Sequence, residues 1–305
     1  MNDGKRYTTL NSELKKIFNE KTIKLSLDGG LSCPNRDGTI HSRGCIFCGD
    51  RGSGEFTDGK LNLTDQAYKQ ISVLSKKWKA NKYIAYFQSF TNTYDRLDNL
   101  KKRYESILEV PGIVGLAIAT RPDCLSDEIL DYLGQLNKKT FLWVELGLQT
   151  IHKESELFIR RGYTLDVYDR AIYELKKRNI KVVTHAIIGL PNETREDILE
   201  TCDYIGKKNI WGIKLHSLYI QKDTDLYRAY INNPFKLMNK DDYVDLATEI
   251  ISILPKDLVI HRLTGDGDKA LLYEPRWSRD KLSVLSSIDK SLKEKNYYQA
   301  CKIKL

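Results

Sequence analysis

No stretch of this 305-residue chain approaches the ~18–20 consecutive apolar residues that a membrane-spanning helix requires, so a membrane-spanning helix is not expected. The opening residues, MNDGKRYTTLNSELKK, lack the apolar core and small-residue cleavage site of a secretory leader, and none is expected. Internal repeats, low-complexity tracts and Pro- or Ser-rich linkers are missing too, which argues against a solenoid or a string of loosely tethered modules. Cysteine is scarce. Six in a chain of this length cannot make a disulfide scaffold, and in the cytoplasmic setting these absences suggest, clustered cysteines point to metal or redox chemistry.

What remains is ordinary globular material, 41% hydrophobic and 30% charged, enough for one large α/β domain or a core with an appendage. Short β-branched and aromatic runs alternate with helical periodicity. The runs 22–27, 83–87, 113–119, 141–146, 181–188 and 212–218 are nearly continuous in apolar character, as strands buried on both faces are. Helices fit between them. Ser126 caps DEILDYLGQL, Thr164 opens LDVYDRAIYELKKRN, and Thr194 with Asp197 makes a capping pattern before ILETCDYI. LTDQAYKQISVLSKKW carries Ile71, Leu74 and Trp78 at helical spacing.

Six β-then-α units in succession predict a parallel α/β sheet, either a partial barrel or doubly wound, with chemistry at the carboxyl ends of the strands. The polar stretches DGGLSC, QSFTNTYD, TRPD, GLQT and GLPNET fall at those ends. Residues 1–233 are expected to form the core and 234–305 an accessory region, in which DLVIHRLTGDG offers a short seventh strand and loop.

Three of the cysteines, Cys33, Cys45 and Cys48, lie in GGLSCPNRDGTIHSRGCIFCGD, separated by eleven residues and then by two. With His41 they could close a tetrahedral zinc site, although zinc sites usually draw on two short-spaced pairs and only one is present. Alternatively the three thiols could hold an iron–sulfur cluster and leave one iron open to a ligand. Cys124 and Cys301 are isolated in the sequence, and Cys202 falls on the apolar side of its helix. Spacing alone leaves both tenants open.

The CIFC stretch, with an aromatic residue before its last cysteine and in a loop after the first strand, resembles the end of the radical S-adenosylmethionine (SAM) motif. The eleven-residue gap departs from that superfamily's usual three, but resembles a long-gap subgroup that includes the catalytic subunit of Elongator. The segments CPNRDGT, YFQSFTNTYD, ATRPDCL, VELGLQT, RRGYT, HAIIGLPNET, KLHSLYIQKDT and VIHRLTGDG are together similar to one family of these proteins, the MnmL/YhcC type, over nearly the whole chain.

The resemblance implies a partial (β/α)6 barrel. It also implies a 4Fe-4S cluster on Cys33, Cys45 and Cys48, with SAM on the open iron as the source of a 5′-deoxyadenosyl radical. An electron donor of the flavodoxin or ferredoxin type follows from it. Where many of its members place a Gly-Gly-Glu segment this chain has QSFTNT, so Gln88, Thr91 and Asn92 are the available polar substitutes. Glu145 is a carboxylate in an apolar run and needs a partner, for which a ribose hydroxyl or a Lys/Arg would serve. Gln149 and Arg161 stand where relatives approach SAM, Arg161 being equally suited to a structural ion pair; Gly189 and Pro191 would let a loop pass the adenine or simply make a β–α turn. His185, His216 and His261, with Lys214 and Arg262, sit near strand ends and could line a substrate pocket; His216, His261 and Arg262 are the candidates for contact with the reacting group.

The same resemblance implies tRNA as substrate, with conversion of the wobble uridine's 5-carboxymethylaminomethyl side chain toward 5-aminomethyl. Charge agrees: the chain carries a net +8, and from Arg276 to Leu305 eight basic residues face three acidic ones. That segment could contact phosphates, with Trp277, Tyr297 or Tyr298 stacking on a base; equally, these aromatics could pin the last helix to the core. A small-metabolite substrate and a non-catalytic, zinc-stabilised RNA-binding module are the other readings.

Overall fold

The structure, a computed structural model, describes residues 4–303 apart from 53, 55 and 56. Its strands are β1 (Thr22–Leu27), β2 (Lys82–Phe87), β3 (Ile113–Thr120), β4 (Phe141–Gln149), β5 (Lys181–Ile188), β6 (Gly212–Ser217), β7 (Ile220–Gln221), β8 (Val259–Arg262) and β9 (Leu272–Glu274). The helices are α1 (Leu10–Phe18), α2 (Leu63–Ser75), α3 (Leu97–Leu108), α4 (Asp127–Asn137), α5 (Lys153–Phe158), α6 (Leu165–Lys177), α7 (Arg195–Lys207), α8 (Asp225–Asn232), α9 (Lys240–Ile253) and α10 (Lys281–Glu294). No helix among the described residues is long and apolar enough to cross a membrane.

Strands β1 to β6 and then β8 form one seven-stranded, wholly parallel sheet, in that order. The expected six units are therefore present, and VIHR extends the same sheet by a seventh strand from beyond residue 234. The sheet curls into a partial barrel: Lys24, on one edge strand, feels the charge of Arg262 on the other. Strands β7 and β9 pair antiparallel as a separate ribbon.

The local signals act as expected at most helix starts. Ser126 accepts the amide of Ile129, and Thr194 and Asp197 close a reciprocal capping box. Thr164 precedes α6 without capping it, because its hydroxyl bonds the Asp166 carboxylate instead. Trp78 lies beyond the end of α2 and is partly exposed, with the Lys21 ammonium 3.2 Å from its ring centroid.

Two apolar layers position the site. The outer face of the sheet packs against the helices through residues such as Leu116, Leu142, Val182 and Leu215, all buried. On the inner face, α1 closes the amino-terminal end of the barrel: Leu10 and Leu14 pack with Ile84, Trp143, Val183 and Val259. The Ile260 amide donates to the Thr8 carbonyl at 2.8 Å, which ties α1 to the last strand. The lower interior is thus filled, and only the carboxyl ends of the strands are left to hold a ligand.

Candidate active site

The loop after β1 is held from within. The Asn35 amide donates to Cys45 Sγ at 3.3 Å and to the Arg160 carbonyl at 2.7 Å. The Arg36 guanidinium donates to the carbonyls of Cys48, at 2.7 Å, and Gly49. These two residues follow Cys33-Pro34 directly, so the first part of the loop organises the second. Cys33, Cys45 and Cys48 all line one cavity at the carboxyl ends of the strands.

Burial pushes the Cys45 thiol up and the Cys48 thiol up to about 12, against the pull of Arg121 on the first and Arg36 on the second. Such thiols become thiolates when a bound metal supplies the compensating charge. A zinc ion with bonds of about 2.3 Å would need its sulfurs about 3.8 Å apart. Among the described residues, the group whose donor atoms gather within 4.8 Å is His152, Asp197 and Glu200, not the cysteine set. His41 takes no part in the cavity lining, and its Nδ1 accepts the Arg43 amide at 3.0 Å. Without His41 the donor set is three thiols, which suits an iron–sulfur cluster with one iron left open to another ligand.

The floor of the cavity is a buried polar ladder. Glu145, 1% exposed, accepts from Trp143 Nε1 at 2.9 Å and from His185 Nε2 at 2.8 Å, and pairs with the Lys214 ammonium. Lys214 also donates to the Tyr86 hydroxyl at 2.9 Å. Burial would raise the Glu145 carboxyl, but Lys214, His185 and Lys24 hold it well below the usual carboxylate range. This carboxylate is therefore committed to protein partners. Tyr86 gives no sign in the sequence, because β2 is apolar on both faces; Lys24 alternates with Ile23 and Leu25 in the edge strand β1, and nothing local ties it to Glu145.

The remaining candidates divide. Gln88, Thr91, Gln149, His216 and Arg262 line the cavity with the cysteines. Gln149 has a left-handed φ of 64°, where the β4–β5 register slips between Gly147 and Gln149. Asn92 is buried and spends its amide on the carbonyls of Phe87, Ser89 and Ala119, holding the loop after β2. Arg161 borders the cavity, but its guanidinium donates to the carbonyls of Leu148, Thr150 and Tyr163 and pairs with Glu156 at 2.6 Å. It clamps the loop after β4. His261 lies deeper, against Trp211 and Trp143 with ring centroids 4.8 and 5.9 Å away, and does not line the cavity. Gly189 and Pro191 border a neighbouring groove beside Phe235 and Met238.

Burial and the nearby Lys214 lower His185 to about 4, so the imidazole is neutral near pH 7. Its unfolded value lies near 6.5, so between roughly pH 6.5 and 4 the unfolded chain binds more protons. Stability should fall as pH drops through that window, by about 3 kcal/mol at most from this residue. Thermal melts at pH 7 and pH 5 should show a loss that His185→Gln reduces. An unchanged loss in the variant would place the acid sensitivity elsewhere.

Comparison with known proteins fits this geometry. Residues 41–205 match the radical SAM superfamily, and residues 210–294 match the Radical_SAM C-terminal domain. The first match begins between Cys33 and Cys45, as the long gap would cause. The chain belongs to the radical SAM superfamily, whose enzymes use a 4Fe-4S cluster and SAM. Within it the chain belongs to the family of YhcC and YtqA. It is 42% identical to the uncharacterised protein YtqA of Bacillus subtilis, over 98% of this chain and 93% of that protein. It is 32% identical to protein YhcC of Escherichia coli, over 92% and 91% respectively. The tRNA uridine(34) acetyltransferase of Methanocaldococcus jannaschii is 28% identical, but over only 50% of this chain and 28% of that protein. The structure of archaeal Methanocaldococcus infernus Elp3 shares the fold: TM-score 0.65 at 18% identity, covering 91% of this chain and 64% of that one.

Proposed function

We propose that this radical SAM enzyme modifies tRNA, converting the 5-carboxymethylaminomethyl group of a wobble uridine toward 5-aminomethyl. The observation that carries this reading is the cavity itself, which brings three cysteines together with Arg36, Arg121, Arg161 and Arg262. The relation to a tRNA uridine(34) acetyltransferase supports the choice of tRNA. Cys33, Cys45 and Cys48 would hold the cluster, and Gln88, Thr91 and Gln149, which line the same cavity, would offer polar contacts to SAM. The bound cofactors would supply a 5′-deoxyadenosyl radical, able to take hydrogen from the CH₂ between the substrate's amine and carboxylate. Loss of one electron, to a flavodoxin- or ferredoxin-type acceptor, and of one proton from that carbon radical gives an imine, which water cleaves to the 5-aminomethyl group and glyoxylate. A flavodoxin- or ferredoxin-type protein would deliver the electron.

The chain's own residues bind, orient and exclude water. His185 and His216 are held neutral by burial, so neither delivers a proton near pH 7. Asn35 and Arg36 keep the cysteine loop in place, and Arg161 clamps the opposite loop.

The basic tail is less open to phosphate than its composition suggests. Lys281 pairs with Asp266, Lys295 with Asp245, Lys302 with Glu249, Lys290 with Glu294 and Arg276 with Glu274. Trp277 donates to the Met238 carbonyl at 3.0 Å and packs on Tyr243, which pins the segment to the core. Lys222 and Lys269 are better placed for RNA. Both are exposed, they lie on segments joined by the Lys222 amide and the Leu271 carbonyl, and Lys222 adjoins the cavity-lining Gln221.

Binding of tRNA should weaken steeply between low and physiological salt. Lys222→Glu with Lys269→Glu should lower affinity about tenfold or more at low salt and reduce the salt slope by about two. Filter binding across a salt series checks both. Wild-type affinity independent of salt would remove the tRNA reading.

A further inference from the structure

The cations around the cavity are unequally committed. Arg121 forms a two-point pair with Asp123 and donates to the Arg161 carbonyl at 2.8 Å. Arg161 is spent on three carbonyls and Glu156. Lys214 is taken by Glu145 and Tyr86. Arg262 differs: its ion pair is a loose 3.6 Å contact with Asp266, a carboxylate that Lys281 already neutralises at 2.7 Å.

The placement of Arg262 follows from an irregularity in β8. Ile213 pairs with Ile260 but Lys214 pairs with Arg262, so β8 carries one extra residue, His261. The bulge buries His261 against the tryptophans and still brings Arg262 to the cavity wall. Beside it, His216 Nε2 is buried and has no hydrogen-bond partner. After burial, Arg262 is the largest influence holding His216 neutral, which places the guanidinium's field on that ring. A half-committed guanidinium next to an unpartnered imidazole nitrogen suits an anionic ligand group, and the planar fork of arginine matches a carboxylate.

We infer that Arg262, with His216 beside it, is the specificity-determining contact for a carboxylate on the substrate's side chain. The inference rests on the tRNA reading above and deepens it: the cavity selects the wobble side chain by the acid at its end. Removing the charge should abolish discrimination without touching the cluster.

The test uses anticodon stem-loop RNAs carrying either 5-carboxymethylaminomethyluridine or 5-methylaminomethyluridine, which lacks the carboxylate. Binding to the cluster-loaded protein is measured by fluorescence anisotropy. Wild type should prefer the carboxylate-bearing RNA by about tenfold or more, a charge-assisted hydrogen-bond effect. Arg262→Gln should bind the two within about twofold, and Arg262→Lys should restore part of the preference. Iron content and thermal midpoint, measured on each variant, show that it is folded and loaded. Equal binding of both RNAs by wild type, or a preference that survives in Arg262→Gln, overturns the inference while leaving tRNA as substrate. A loss of SAM binding in Arg262→Gln, read by equilibrium dialysis, also overturns it and assigns the guanidinium to the carboxylate of SAM. Failure of wild type to bind either RNA overturns the tRNA reading and this inference together.

Discussion

Cys45→Ala protein purified without oxygen should carry almost no iron, where wild type carries about four irons and four sulfides per chain. The expectation follows from the geometry of the loop. Cys45 is half-buried, takes a hydrogen bond from Asn35 and lines the same cavity as Cys33 and Cys48. With three protein ligands and one open iron, no spare thiol replaces a lost one. Cys202 is buried in the helical layer, and Cys124 and Cys301 do not line the cavity. Cys124→Ala and Cys301→Ala should therefore retain full iron and the brown colour of the cluster. Iron, sulfide and zinc analysis beside the visible spectrum checks this, and stoichiometric zinc without iron after reconstitution would end the cluster assignment.

The second large effect concerns stability. Lys214→Met should destabilise the protein by about 3–5 kcal/mol, because it leaves the Glu145 carboxylate buried without its closest counter-charge. Glu145→Gln should cost a similar amount, since Lys214 would then lie beside Lys24 and Arg262 with no anion near. The double variant Glu145→Gln/Lys214→Met should lose much less than the sum, as expected for one buried pair. Urea melts of the loaded protein give these values. A cost below about 1 kcal/mol for either single variant would mean that the ladder is not what holds the floor.

Much of the architecture was legible in the sequence because its signals are local. Long β-branched runs marked six strands within a few residues of their ends, and Ser126 and Thr194 marked helix starts through their own hydroxyls. The cysteine loop was legible for the same reason. Direction inside the barrel was not. Strand β2 is apolar on both faces, so alternation could not show that Tyr86 points inward, whereas β6 alternates Ile213 and Leu215 with Lys214 and His216 but does not say which partner meets the ammonium. The bulge that separates His261 from Arg262 depends on pairing with β6, a contact 40 or more residues distant in sequence. Glu145 was recognisable as a carboxylate in an apolar run, and Arg161 through the resemblance. Only the folded chain shows that their partners are His185 and Lys214 for one, and main-chain carbonyls and Glu156 for the other.

The most direct test of the account is nucleoside mass spectrometry. tRNA bearing 5-carboxymethylaminomethyluridine is incubated anaerobically with the loaded protein, SAM and a reductant, then digested. The account predicts loss of that nucleoside, appearance of 5-aminomethyluridine and formation of 5′-deoxyadenosine that depends on Cys45. Unchanged tRNA in the presence of an intact cluster and bound SAM would contradict it.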